Sequence, residues 1–243
     1  NYRLYNTTNM VTKQANYAWT VQDMLDDIAS CLNAVSAQIE KAGYKVGNAG
    51  LFGFSAGGHL ALLYSYKQAN AASVPVTLVM SQCGPADFHT ETWSGSSFAN
   101  GLSLQGILYL ANRDISVSES GINRVSPAYY AKKKPIPTVA IYGMQDSVIG
   151  TGHSKKLTDA LAAAGADYVV LESKNAGHTN QFPEKDSSTF YSTCYSYCKK
   201  YLNTGTQKET KPEAPVKEGL PTWAKVLIVI GVLGILAVVF WIL

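Results

Sequence analysis

Gly53-Phe54-Ser55-Ala56-Gly57-Gly58-His59-Leu60-Ala61 decides the reading of this chain. An apolar run, residues 49–54, enters the segment, and a helix-forming run, residues 59–66, leaves it. The pattern G-x-S-x-G between a strand and a helix describes a sharp turn that holds a serine hydroxyl clear of the backbone. Glycines on both sides let the chain make that turn and let helix and strand approach closely. The strand–turn–helix context makes a five-residue pattern informative and marks Ser55 as a candidate nucleophile. The backbone N–H of Ala56, next in the chain, is the matching candidate donor for an oxyanion hole.

Two further candidates follow downstream. Residues 138–142 (Thr-Val-Ala-Ile-Tyr) read as a buried strand, and Gly143-Met-Gln-Asp146 leaves it. Residues 166–171 read as the next strand, followed by Asn175-Ala-Gly-His178 in a loop. The chain order is therefore serine, aspartate, histidine, with each residue just past a strand. In an open parallel sheet, the loops at the carboxyl ends of the strands converge on one crevice. Ser55 is a weak nucleophile until a base takes its proton. An imidazole titrates in the right range to do so, and a carboxylate fixes its tautomer and stabilises its cation. Asp87, after the preceding strand, is the substitute acid if Asp146 merely caps the helix that begins near Gly152.

These pieces resemble the carboxylesterase and hormone-sensitive-lipase-like group of α/β-hydrolases, and within it small bacterial feruloyl-esterase-like enzymes. The matching segments are Asn1-Tyr-Arg-Leu4, Gly53 to Ala61, Gly84-Pro-Ala-Asp87, Ser126-Pro-Ala128, Tyr142-Gly-Met-Gln-Asp-Ser-Val148 and Ala176-Gly-His178. The resemblance covers roughly residues 1–202. It implies ester hydrolysis through an acyl-enzyme on Ser55, with His178 and Asp146 completing a triad. It also implies a glycine-rich oxyanion loop upstream of the strand matching Tyr2 to Leu4, a place that falls before Asn1. The chain is therefore expected to be a piece of a longer protein. Losing one oxyanion donor costs about a hundred- to a thousandfold in rate.

The rest of the chain alternates helices and strands. Val21, Met24, Leu25, Ile28, Leu32, Val35 and Ile39 recur at helical spacing within residues 17–42. A helix to about residue 70, a strand over 76–82, and helices over 152–164 and 187–201 follow. This alternation points to an α/β fold, a mostly parallel sheet with helices on both faces. Residues 86–134 are less periodic, and 102–110 is expected to be a helix of an inserted cap that shapes substrate choice. Trp93, Phe98, Tyr129 and Tyr130 are expected in the core before a pocket. His59 is expected to be packed or capping, and His89 and His153 solvated.

Over 243 residues, 47% hydrophobic and 15% charged content allows a sizeable core. A net charge of +3, with no basic patch interleaved with aromatics, excludes a nucleic-acid partner from the reading. No metal-ligand spacing and no phosphate-cradling loop appear, so neither metal nor organic cofactor is expected. Cys194 and Cys198 lie one helical turn apart, too rigidly held for an easy disulfide.

The tail changes character twice. Residues 203–222 are rich in Lys, Glu, Thr and Pro and read as a flexible linker. Residues 223–243 are almost wholly apolar, with Lys225 near the start and Trp223 and Trp241 near the ends. About 20 apolar residues match a bilayer core. The expected organisation is a hydrolase domain over 1–202, a linker over 203–222 and a transmembrane helix over 223–243. Lys208, Lys211 and Lys217 before that helix and Lys225 at its start favour a cytoplasmic domain. The run reaches Leu243, however, so the membrane face stays open. The expected partners are a small-molecule ester and the membrane. A peptidase or lipase using the same triad, and a non-catalytic hydrolase-like binding module, are the alternatives.

Overall fold

The computed structural model describes residues 20–99, 108, 118–179, 182–202 and the backbone of 236–240. Helix α1 spans Val21–Lys41. Its start is fixed by a capping box. The Thr20 hydroxyl accepts from the Asp23 N–H, and the Asp23 carboxylate accepts from the Thr20 N–H at 2.6 Å. Val21, Met24, Leu25, Ile28, Leu32 and Ile39 form its buried stripe, at the spacing the sequence shows.

Strand β1 (Ala49–Phe54) runs directly into helix α2 (Ala56–Gln68). Strand β2 (Val76–Gln82) follows, then a short 3-10 turn at Thr90–Trp93 and the small helices α3 (Glu119–Val125) and α4 (Pro127–Ala131). Strand β3 (Thr138–Gly143), helix α5 (Gly152–Ala163), strand β4 (Tyr168–Ser173) and helix α6 (Glu184–Tyr201) complete the main body. Strands β1 to β4 pair in parallel, in the spatial order β4-β3-β2-β1.

Alternation along β1 shows which helix covers which face. Gly53 points at α2, where a side chain would strike the Gly57 carbonyl. Gly50 and Phe52 point the other way: Gly50 lies under Leu202, and the Phe52 ring meets Phe190 of α6 at 6.2 Å. Helices α2 and α6 therefore cover opposite faces, as parallel strands buried on both sides require. The carboxyl ends of β1, β2, β3 and β4 line one edge, and the site is built there.

Expected and observed bounds differ by a few residues. Helix α1 starts at Val21, β4 is shifted to 168–173, and α6 starts at Glu184. Residues 1–19, which include the segment Asn1 to Leu4 matched in the sequence, lie outside the described residues, as do 203–222 and, except for Leu108, the expected cap helix.

In the tail, five residues depart from the expected helix. Within the expected membrane helix 223–243, Leu236–Phe240 is a strand, β5, paired antiparallel to β1 with Val238 opposite Leu51. An apolar run with valines at 238 and 239 suits a sheet as well as a helix, and pairing covers the hydrogen-bonding groups on the outer edge of β1. The rest of 223–243 lies outside the described residues. Among the described residues, no helix is long and apolar enough to cross a membrane.

The β1–α2 contact yields a prediction. A Cβ on Gly53 would sit 2.2 Å from the Gly57 carbonyl oxygen and 2.6 Å from the Gly58 nitrogen, both backbone atoms that cannot swing aside. Gly53→Ala should destabilise the fold by about 1–3 kcal/mol or more, measured by urea unfolding. An unchanged midpoint would show that the turn relaxes freely.

Candidate active site

Ser55 occupies the turn between β1 and α2 at φ 52°, ψ −121°. This is a left-handed conformation that costs a side-chain-bearing residue energy, and surrounding bonds must hold it. The Ser55 N–H donates to the Gln82 carbonyl at the end of β2 (2.8 Å), and its own carbonyl accepts from the His59 N–H in α2 (2.9 Å). The hydroxyl is thereby held at the carboxyl edge of the sheet. Ala56 is the first residue of α2, so its N–H has no acceptor within the helix and lies at the positive end of the helix dipole.

Asp146 lies in the loop after β3 and is buried. Its Oδ1 accepts from the N–H groups of Val148 (2.9 Å) and Ile149 (3.0 Å). The helix-capping role weighed for it does not arise, because the residue at the start of α5 is Thr151. Its Oδ2 lies 2.8 Å from His178 Nδ1, and His178 Nε2 lies 2.8 Å from Ser55 Oγ. With Asp146 ionised, Nδ1 carries the proton and donates to it, leaving Nε2 to accept from the Ser55 hydroxyl. The Phe54 ring packs on the imidazole at a centroid distance of 5.4 Å.

The loops carrying Asp146 and His178 are knitted together. The Gln145 N–H donates to the Ala176 carbonyl (2.9 Å), and the Met144 N–H to the Ser173 carbonyl (2.8 Å). Gly143 makes this close approach feasible: a Cβ there would lie 2.3 Å from the Gly177 oxygen.

Asp87, the alternative acid, is committed elsewhere. Its carboxylate accepts from Thr92 Oγ1 (2.5 Å) and faces His89 Nδ1 (2.8 Å), whose Nε2 reaches Glu119 (3.1 Å). Burial works to raise the Asp87 pKa, but these bonds and the charges of His89 and Lys156 outweigh it and hold the carboxyl below its usual range. Among the described residues, two sets of ligand-type atoms lie close together, Cys83/Asp146/His178 and Asp87/His89/Glu91. In the first, both His178 nitrogens are already engaged by protein partners.

Two histidines behind the site are buried. His59 was expected to pack, and its Nε2–H donates to the Val125 carbonyl (2.8 Å) while its ring meets Phe88 edge-on. His153 was expected to be solvated and is fully buried against Trp93 (centroids 4.8 Å). Its Nε2 donates to the Ile149 carbonyl, and its Nδ1 accepts from the Ala86 N–H, so only the neutral ring fits. His89 is partly exposed but paired on both nitrogens. Trp93 is in the core as expected, with Phe98 packed partly buried against it.

Burial pushes both His59 and His153 down to about 4 from the usual 6.5. An unfolded chain takes up protons at these two residues that the native chain refuses. Stability is therefore complete above about pH 6.5 and falls as pH drops from there toward 4, by up to about 3 kcal/mol per histidine. Urea midpoints should decline between pH 6.5 and 5, above the range where most carboxylates titrate. A flat profile would contradict the neutral burial of these rings.

A family model named BD-FAE matches residues 2–161. No curated protein matches the sequence. Among solved structures, esterase B from Lactobacillus rhamnosis superposes with a TM-score of 0.59 at 17% identity, over 81% of this chain and 64% of that one. A truncated carbohydrate esterase from gut microbiota gives 0.52 at 18% identity, over 71% and 69%. An acylaminoacyl peptidase from Pyrococcus horikoshii gives 0.57 at 15% identity, over 77% of this chain but 29% of the peptidase, so this chain spans under a third of that protein. At these identities the likeness is one of fold, the α/β-hydrolase fold.

Proposed function

The chain belongs to the BD-FAE family, bacterial feruloyl-esterase-like α/β-hydrolases, and we propose that it is a serine hydrolase that cleaves carboxylic esters of small or medium acyl groups. The observation that carries this reading is the continuous series from Ser55 Oγ to His178 Nε2 and, across the ring, from His178 Nδ1 to Asp146 Oδ2, both hydrogen bonds 2.8 Å.

In this mechanism Ser55 Oγ attacks the ester carbonyl carbon while its proton passes to His178 Nε2. Asp146 stabilises the imidazolium, and the Ala56 N–H donates to the oxyanion of the tetrahedral intermediate. Collapse breaks the bond to the leaving alkoxy oxygen, which receives the proton from His178. Water then repeats the sequence on the acyl-Ser55 ester, releasing the acid and free serine. The chemistry requires no metal or organic cofactor. A peptidase or lipase would use the same groups, because fold and triad do not fix the substrate.

The test is steady-state hydrolysis of p-nitrophenyl acetate and butyrate. Ser55→Ala should abolish turnover, and Asp146→Asn should lower kcat by about 10³- to 10⁴-fold through the wrong imidazole tautomer. A Ser55→Ala variant at the wild-type rate would refute the reading. Faster cleavage of the matching anilides would reassign the activity to a peptidase.

Membrane association through 223–243 is a further part of the proposal, supported by the composition of that segment. A bilayer-spanning helix there requires β5 to leave β1, since Leu236–Phe240 cannot pair in the sheet and span lipid together. In cell fractionation the full chain should sediment with membranes, and a chain ending at Leu202 should not. Full chain in the soluble fraction would assign the tail to the sheet.

A further inference from the structure

Among the described residues, two other than glycine have positive φ: Ser55 (52°) and Cys83 (48°). The first is the turn that presents the nucleophile. The second has no such explanation, and strained backbone of this kind persists where something else depends on it. Cys83 directly follows β2, is fully buried, and is anchored by its N–H to the Ile141 carbonyl on β3 (2.9 Å). The resulting backbone bend brings the side chain under the catalytic edge. There its Sγ, an Asp146 carboxylate oxygen and a His178 ring nitrogen all lie within 4.8 Å of one another. The thiol faces the carbonyl of Thr179, the residue after His178, at 3.9 Å.

We propose that Cys83 is a positioning residue, whose thiol proton holds the Thr179 peptide and so fixes the His178 ring between Asp146 and Ser55. The proposal rests on the serine-hydrolase reading. The thiol suits the place for two reasons. Its sulfur is fully buried and lies within 4.8 Å of an Asp146 carboxylate oxygen, an uncharged neighbour for that carboxylate. It also stays protonated: burial pushes its pKa up to about 11 and the Asp146 charge adds to the shift, outweighing backbone hydrogen bonds with Gly143 and Thr179 that act to lower it. A thiolate here would place a second anion beside Asp146 and remove the donor to Thr179. Neither a metal nor a disulfide is involved. The His178 nitrogens are both engaged, and Cys83 is a free thiol.

The test uses three variants beside wild type. Cys83→Ser keeps a donor, Cys83→Ala removes it, and Cys83→Gly removes it while suiting the positive φ. Two readouts are taken: kcat and KM for p-nitrophenyl acetate, and the low-field proton resonance of the His178–Asp146 hydrogen bond. The alanine and glycine variants should lose about ten- to a hundredfold in kcat with KM little changed, because a small displacement of an oriented group is costly. Their low-field resonance should broaden or vanish, and Cys83→Ser should recover most of both. If Cys83→Ala does not fold, Cys83→Gly carries the comparison, since its backbone accepts this conformation. Wild-type kcat and resonance in Cys83→Gly would overturn the proposal, as would a Cys83→Ser variant as impaired as Cys83→Gly. A wild-type chain inert toward esters but showing the resonance would sink the hydrolase reading, while the resonance series still decides the role of Cys83.

Discussion

The structure depends on how closely β1 and α2 approach at the Ser55 turn. With no side chain at Gly53, the strand can lie against the first turn of the helix, and that contact forces Ser55 into its left-handed conformation. The conformation is unfavourable in isolation. It persists because the serine backbone is bonded on one side to β2 and on the other to α2, so relaxing the turn would break the sheet–helix junction. The hydroxyl is thereby held in place before any substrate arrives, as the proposed nucleophilic role requires.

The parallel sheet supplies the rest. Four adjacent strands end at one edge, and the loops leaving β1, β3 and β4 carry Ser55, Asp146 and His178 to a common point. Residues 123 positions apart in sequence become hydrogen-bonded neighbours without either leaving its loop. Beneath them lies a layer of buried, neutral polar groups. His153 and His59 bond backbone carbonyls, and the Tyr142 hydroxyl donates to the Gly84 carbonyl (2.8 Å). These groups satisfy backbone carbonyls in the loops after the strands and at the end of helix α3, which an apolar core cannot do.

Much of this arrangement was legible in the sequence. The elbow is local: its glycines, its serine and the change from strand to helix fall within about a dozen residues. The order of serine, aspartate and histidine, each after an apolar strand, places all three at one edge by topology alone. What was not legible depends on contacts across the fold. His153 looks like a polar residue at a helix start, and nothing nearby in sequence shows that Trp93, 60 positions earlier, covers it. Cys83 is one residue past a strand at the catalytic edge, a signal of position, but its positive φ emerges only from packing. Asp87 and Asp146 both follow strands, and the choice between them is made by which histidine each meets. In the tail, an apolar run without polar punctuation has no period to separate helix from strand, and Leu236–Phe240 is a strand.

The central claim is that Ser55 is activated by its hydrogen-bonded partners in the folded chain. The most direct measurement is fluorophosphonate labelling of the folded protein, with the adduct located by peptide mass spectrometry. The account predicts one adduct, on Ser55, that disappears on unfolding in urea and in His178→Gln. A folded chain that takes up no label, or that carries it on another residue, would contradict the account.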